Sequence, residues 1–162
     1  MPITFNANEI FEMAEEMERN GAKFYRKAAE NASDSQIKQI LFDMADMEDG
    51  HLKTFKEMRE QLSGQEKGWT VFDPDNQSVL YLQAMVDARG YEGKITPNEE
   101  LTGSETPKEI FEIALNSEKE SVVFYFGLKS LVPPKVGRDK VEAIIIEELS
   151  HITTLLNKLN SL

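Results

Sequence analysis

Several residue types and patterns are missing from this sequence, and each absence excludes a class of protein. The 162 residues contain no cysteine, so they hold no disulfide, zinc ribbon, iron–sulfur cluster or rubredoxin-type site. No apolar run approaches the roughly 20 residues that a membrane-spanning helix needs. The first residues, MPITFNANEIFEMAEE, lack the basic segment and apolar run of a signal peptide, which favours the cytoplasm.

Positive charge and histidine are also scarce. Eighteen Lys and Arg against 29 Asp and Glu give a formal net charge of −11, which disfavours nucleic acid and anionic membranes as partners because no basic patch offsets the repulsion. The chain has two histidines, His51 and His151. Each follows a glutamate by three positions, in MEDGHL (47–52) and EELSHI (147–152).

Four segments have the apolar spacing of amphipathic helices. The spacing predicts helices over about 8–31, 34–62, 107–132 and 135–160, with Asn8, Ser33 or Asp34, and Thr106 as N-caps. Short turns around 32–35 and at VPPKVG would join them into two antiparallel hairpins. We therefore predict one all-α domain over residues 1–162, a four-helix bundle.

A long crossover is expected between the hairpins, over residues 63–105. Within it, SVLYLQAMVDARG is compatible with a short helix that ends at Gly90. The crossover would run along the bundle and start the second hairpin. Four aromatic side chains would pack it onto the bundle: Trp69, Phe72, Tyr81 and Tyr91.

The two hairpins resemble each other at an offset of 100 residues. EIFEMAEEMERNGAKFY (9–25) aligns with EIFEIALNSEKESVVFY (109–125), and eight of the seventeen positions are identical. The same offset aligns Glu18 with Glu118 and each Glu-x-x-His motif with the other. The chain therefore looks like a duplicated two-helix unit.

Six polar residues interrupt the apolar stripes of the four predicted helices. Residues three apart share a helix face, so each Glu-x-x-His pair can reach one metal ion, and each faces a helix with a single glutamate in its stripe. The bundle would bring these residues to one level of the core: Glu18, Glu48, His51, Glu118, Glu148 and His151. Tyr25 and Tyr125, two turns beyond Glu18 and Glu118, are candidates to hydrogen-bond the site carboxylates or to be ordinary core tyrosines.

A metal centre explains this set better than a metal-free polar core does. Buried carboxylates need a cation, and the stripes contain no Lys or Arg at these levels. Two protonated histidines would not balance four carboxylates, whereas two divalent metal ions would. Oxygen and imidazole ligands without sulfur suit iron or manganese, and a mixed centre is also compatible with them. We expect two glutamates to bridge, two to be terminal, and one histidine on each ion. Glu147 precedes Glu148 and is a candidate to orient a histidine, but its repeat counterpart is Met47, so no prediction rests on it. Five methionines are interpreted as core filler: Met13, Met17, Met44, Met47 and Met58.

The four helical segments resemble the rubrerythrin branch of the ferritin-like superfamily. The resemblance rests on AEEMERNGAKFYRKAAE, MADMEDGHLKTF, EIALNSEKESVVFYFGL and IEELSHITTL. It implies a ferritin-like bundle with a di-iron centre that reacts with hydrogen peroxide or dioxygen, commonly in cytoplasmic homodimers. By position, the six glutamates and histidines named above correspond to the iron ligands.

Two departures from the rubrerythrin pattern bear on function. Rubrerythrins proper carry a cysteine-ligated rubredoxin domain, and this sequence has no cysteine, so a reductase would need a separate electron donor. Rubrerythrins also have an extra carboxylate on the third helix, whereas Leu115 and Ser121 stand one turn either side of Glu118. The prediction is an oxidoreductase that reduces peroxide or dioxygen. A protein that oxidises and handles ferrous iron, and a non-enzymatic bundle that uses metal for stability or sensing, are the alternatives.

Overall fold

The computed structural model describes residues 6–62 and 101–162, together with residues 64 and 80. The described residues form four long helices: α1 over Ala7–Asn31, α2 over Ser35–Glu60, α3 over Pro107–Leu131 and α4 over Arg138–Ser161. They form an all-α four-helix bundle, which confirms the predicted fold class. The crossover, its expected short helix and its four aromatic residues lie outside the described residues.

Local sequence signals explain where three of the helices begin. The Asn6 side chain accepts a hydrogen bond from the Glu9 amide at 2.9 Å, and Glu9 accepts one from the Asn6 amide at 2.8 Å. This capping box makes Asn6 the N-cap of α1, so the prediction of Asn8 was wrong by two residues. Asp34 caps α2, and Thr106 with Glu109 forms a second capping box on α3 ahead of Pro107. Both caps confirm the sequence prediction.

The last helix begins three residues later than predicted. Pro134–Val136 forms a short 3-10 turn, and Gly137 follows with φ +121°. Glycine reaches this left-handed region at little cost because it has no Cβ. The Arg138 side chain then donates a hydrogen bond to the Val132 carbonyl at 2.8 Å. The start at Lys135 was therefore wrong, because this turn reverses the chain before α4 begins.

The two helical hairpins pack face to face with a polar layer between two apolar clusters. One cluster joins the N-terminal half of α1 to the C-terminal half of α2, and includes Phe11 and Phe55. The other lies at the opposite end and includes Phe24, Leu41 and Phe111. The six predicted site residues fall between these clusters along each helix. In the part of the chain that the structure describes, no helix is long and apolar enough to cross a membrane.

Candidate metal centre

Each of the four helices contributes to one buried polar layer in the bundle. Helix α1 supplies Glu18 and α3 supplies Glu118, while α2 and α4 each supply one Glu-x-x-His pair. All six side chains are at most 5% exposed. The structure thus brings together every residue that the sequence placed at this level: Glu18, Glu48, His51, Glu118, Glu148 and His151.

The first group of donor atoms surrounds Nδ1 of His51. Glu148 Oε1 lies 3.1 Å from that nitrogen, Glu18 Oε2 lies 3.4 Å away and Glu48 Oε2 lies 3.9 Å away. One donor atom from each of these four residues lies within 4.8 Å of all the others. Such spacing suits ligands around a single ion with bonds of about 2 Å.

The second group surrounds Nδ1 of His151 in the same way. Glu148 Oε2 is 3.1 Å from it, Glu118 Oε2 is 3.4 Å and Glu48 Oε1 is 3.6 Å. These four residues also form a compact set of donors. The duplication seen in the sequence is therefore present in three dimensions as two similar ligand sets.

Glu48 and Glu148 belong to both groups. Each turns one carboxylate oxygen toward His51 and the other toward His151. Glu18 belongs to the first group alone and Glu118 to the second alone. The arrangement separates two carboxylates that can bridge a pair of ions from two that can act as terminal ligands, which spacing in the sequence did not determine.

Unsatisfied buried atoms show that the layer fits a cation. Glu18 Oε2, His51 Nδ1 and Glu148 Oε1 are buried and make no hydrogen bond of good geometry. They lie only in close electrostatic contact with one another, and all three belong to the first group. Leaving such atoms unpaired costs about 1–3 kcal/mol each. A metal ion among them would satisfy all three at once. With the second group beside it, the layer offers the oxygen-rich donor set that suits iron or manganese.

Burial shifts the pKa values of the site residues strongly. It is the main cause that raises the pKa of Glu18 and of Glu118 to about 8, and it raises that of Glu48 well above its usual range. Burial acts on Glu148 in the same direction, but hydrogen bonding with Glu118 and His151 and the close contact with the His51 imidazole outweigh it and hold its pKa well below the ordinary value. The metal-free layer thus keeps most of its carboxyls protonated.

The histidines respond to burial in the opposite sense. Burial alone would lower their pKa values, but contacts with the carboxylates, Glu148 and Glu118 foremost, raise the pKa of His51 to about 9 and that of His151 to about 10. Without metal, both imidazoles are therefore cationic at neutral pH. Two divalent ions would displace these protons and balance the four ionised carboxylates.

Two buried tyrosines hold the terminal glutamates from the opposite hairpin. The Tyr25 hydroxyl on α1 donates a hydrogen bond to Glu118 Oε1 on α3, and the Tyr125 hydroxyl on α3 donates one to Glu18 Oε1 on α1. In each case the other oxygen, Oε2, is the one that faces a histidine. The tyrosines therefore fix which carboxylate oxygen points into the site.

The outer nitrogens of the two histidines have unlike partners. His51 Nε2 lies 2.9 Å from Glu147 Oε2, whereas His151 Nε2 lies 3.4 Å from the Met47 sulfur. The interpretation of Met47 as core filler was wrong, since it is 38% exposed. The candidate role of Glu147 in orienting a histidine, on which no prediction rested because its repeat counterpart is Met47, agrees with this contact. The sequence did not indicate that the histidine is His51 on α2 and not His151 on the same helix.

A narrow pocket beside the layer lies between α1 and α3. The pocket is lined by three of the site glutamates and six other residues: Glu18, Glu48, Glu118, Met17, Gly21, Phe24, Tyr25, Ser117 and Ser121. A Cβ on Gly21 would lie 3.4 Å from Oε2 of Glu48, so the glycine leaves space next to a candidate bridging carboxylate. Ser121 also lines this pocket. Its hydroxyl donates a hydrogen bond to the Ser117 carbonyl at 3.2 Å.

Comparison with known proteins agrees with the fold. The chain is similar to a crystal structure from Thermotoga maritima, provisionally described as a ferritin-like diiron-carboxylate protein. The two are 25% identical and superpose with a TM-score of 0.70, over 97% of this chain and 96% of that one. No curated protein matches the sequence. The family model for rubrerythrin matches residues 9–159, so the chain belongs to the rubrerythrin family.

Proposed function

We propose that this chain holds two iron ions and reduces hydrogen peroxide or dioxygen with electrons from a separate donor. The observation that carries this proposal is the pair of buried ligand sets that share Glu48 and Glu148 beside a narrow pocket. Membership of the rubrerythrin family and similarity to a protein described as diiron-carboxylate support the choice of a two-metal centre.

The proposed ligand roles follow from which oxygens meet at each position. Glu48 and Glu148 would be shared by the two ions, because each directs one oxygen into either group. Glu18 and His51 would hold one ion with them, and Glu118 and His151 would hold the other. Manganese, or one ion of each kind, is compatible with the same donors.

Peroxide reduction consumes two electrons and two protons, and converts H2O2 into two water molecules. Bound iron would supply the two electrons, one from each ion. The protein residues restrict and orient the site: Tyr25 and Tyr125 fix the terminal carboxylates, and apolar packing on both sides of the layer excludes bulk water. The bundle is thus a preorganised environment in which the carboxylates need little rearrangement before reaction.

The size of the pocket favours a very small oxidant. It has room for about one water-sized molecule, and Gly21 and Ser121 keep bulky side chains away from Glu48 and Glu118. Hydrogen peroxide and dioxygen meet this limit, whereas an organic substrate would need the helices to separate. The proposal therefore assigns the pocket to the oxidant.

The electron donor is proposed to be a separate redox centre. The 162 residues contain no cysteine, so no thiolate-ligated iron site lies within them. Once the ions are oxidised, their re-reduction requires two electrons from outside this set of residues. The expectations of a cytoplasmic location and of a homodimer stay predictions.

Reaction of the ferrous-loaded protein with each oxidant tests the proposed activity. Stopped-flow absorbance is recorded after anaerobic protein is mixed with hydrogen peroxide or, separately, with dioxygen. We expect oxidation of two irons per chain, faster with peroxide. A Glu48→Ala, Glu148→Ala double variant provides the control and should show neither the iron nor the reaction. Equal or faster reaction with dioxygen would contradict the preference for peroxide and give weight to ferrous-iron oxidation, and metal that reacts with neither oxidant favours the non-enzymatic bundle.

A further inference from the structure

The two site histidines differ in the side chain that contacts the outer ring nitrogen, Nε2. Within the ligand sets the two halves match: each ion position has one terminal glutamate, one histidine Nδ1 and the two shared carboxylates. Outside the sets they differ. Glu147 on α4 meets Nε2 of His51, and Met47 on α2 meets Nε2 of His151. The repeat thus places a carboxylate and a thioether at equivalent positions.

The two partners have different effects on an imidazole. A carboxylate accepts a charge-assisted hydrogen bond from the Nε2 proton, which fixes the tautomer with the Nδ1 lone pair toward the site and makes that nitrogen a stronger ligand. A thioether is a weak, uncharged acceptor. His51 is therefore oriented and activated by its outer partner, while His151 is held mainly by packing and by its contacts with carboxylates.

The environment of Glu147 makes it suitable for this role without making it part of the core. Its side chain is 56% exposed, whereas His51 is almost fully buried. The carboxylate thus contacts the buried ring from the surface at 2.9 Å. Met47 is also partly exposed, at 38%, so both positions accept substitution without a cavity in the bundle.

We propose that Glu147 is a positioning residue that makes the two metal positions unequal. The position completed by Glu18 and His51 binds its ion more tightly and fills first. The position completed by Glu118 and His151, with Met47 outside it, fills second and releases its ion first. This inference rests on the proposed two-metal site, and it assigns an order of loading that the matched ligand sets alone do not provide.

Stepwise binding of ferrous iron to the metal-free full chain tests the order. Anaerobic calorimetry on the wild-type protein should resolve two steps with different affinities. Glu147→Gln keeps the side-chain shape and removes the charge, and should weaken the first step by about 10–100-fold, nearer the lower value because Glu147 is half exposed. Met47→Glu should strengthen the second step, a gain that general loss of stability does not produce.

Two control variants separate the hydrogen bond from net charge and from packing. Glu142→Gln lies on the same helix, with a side chain 58% exposed and paired with Lys129, and makes the same charge change away from both histidines. Met47→Leu removes the sulfur while keeping an apolar side chain. We expect both controls to reproduce the wild-type titration.

The possible outcomes separate this inference from the proposed function. If the wild-type chain binds no iron, the metal centre and the loading order are both wrong. If it binds two irons but Glu147→Gln leaves the first step unchanged, the metal centre stands and the role of Glu147 is refuted. If Glu147→Gln weakens only the second step, the order of filling is the reverse of the proposal.

Discussion

Glu48 and Glu148 are equivalent in the repeat, yet their substitution by glutamine should affect the metal-free protein differently. Glu148 approaches the Nδ1 atoms of His51 and His151 to 3.1 Å with its two oxygens, whereas Glu48 stays 3.9 and 3.6 Å away. Burial and the neighbouring Glu18 carboxyl raise the pKa of Glu48 well above its usual range, whereas contacts with Glu118 and the two histidines outweigh burial and lower the pKa of Glu148. The directions of these shifts make Glu148 the ionised partner of the two imidazoles and favour the protonated form of Glu48.

The two variants should differ in stability because only the Glu148 substitution leaves a buried charge unpaired. Glu148→Gln leaves two buried imidazolium groups without their closest anion, and breaking a buried ion pair in this way costs about 3–5 kcal/mol. For a chain of this length each kcal/mol lowers the melting temperature by about 2–4 °C, which gives a decrease of about 6–20 °C. Glu48→Gln replaces a protonated carboxyl by an amide that also donates a hydrogen bond, and should cost less than about 1 kcal/mol.

Thermal unfolding of chelator-treated protein at neutral pH, followed by far-ultraviolet circular dichroism, measures the two effects. Metal analysis before chelation is the companion measurement, and both variants should have lost iron because both remove a bridging carboxylate. Equal melting temperatures for the two metal-free variants, or a lower one for Glu48→Gln, would refute the assignment of charge within the layer.

Three further outcomes are expected. Metal affinity should increase as pH rises from about 6 to 8, because Glu18 and Glu118 (pKa about 8) and His51 (pKa about 9) must lose protons to bind metal. Competition with a chelator at several pH values measures the affinity, and an affinity that does not change with pH would contradict the prediction. Gly21→Ala should keep both irons but slow the reaction with peroxide, since its Cβ would lie 3.4 Å from the carboxylate of Glu48; an unchanged rate constant would place the oxidant elsewhere. Gly137→Ala should destabilise the protein by about 1–2 kcal/mol, because φ at this position is +121° and the new Cβ would lie 3.2 Å from the Lys140 side chain. Denaturant unfolding measures the lost stability, and an unchanged free energy of unfolding would contradict this expectation.

The helical layout was predictable because strong local signals agree with the apolar spacing. Thr106, Pro107 and Glu109 identify the start of α3 without any tertiary information, and Asp34 does the same for α2. Asn8 was predicted as the cap of α1, whereas the capping box with Glu9 identifies Asn6. The 3-10 turn before α4 depends on the positive φ of Gly137, which the spacing of apolar residues does not encode.

Membership of the polar layer was also predictable, whereas the roles within it were not. Spacing on one helix face, together with the repeat, brings Glu48 and His51 to the level of Glu148 and His151. The orientation of each carboxylate oxygen depends on contacts between helices, such as the hydrogen bond from Tyr125 to Glu18. The contact between Glu147 and His51 likewise joins α4 to α2, so no pattern within one helix reveals it.

The iron content and Mössbauer spectrum of protein loaded with iron-57 and then oxidised test the central claim most directly. The account predicts two irons per chain that are magnetically coupled, because Glu48 and Glu148 would bridge them. It also predicts loss of both irons in the Glu48→Ala, Glu148→Ala double variant. Uncoupled mononuclear iron in the wild-type protein, or two metal ions retained by the double variant, would contradict the two-metal centre.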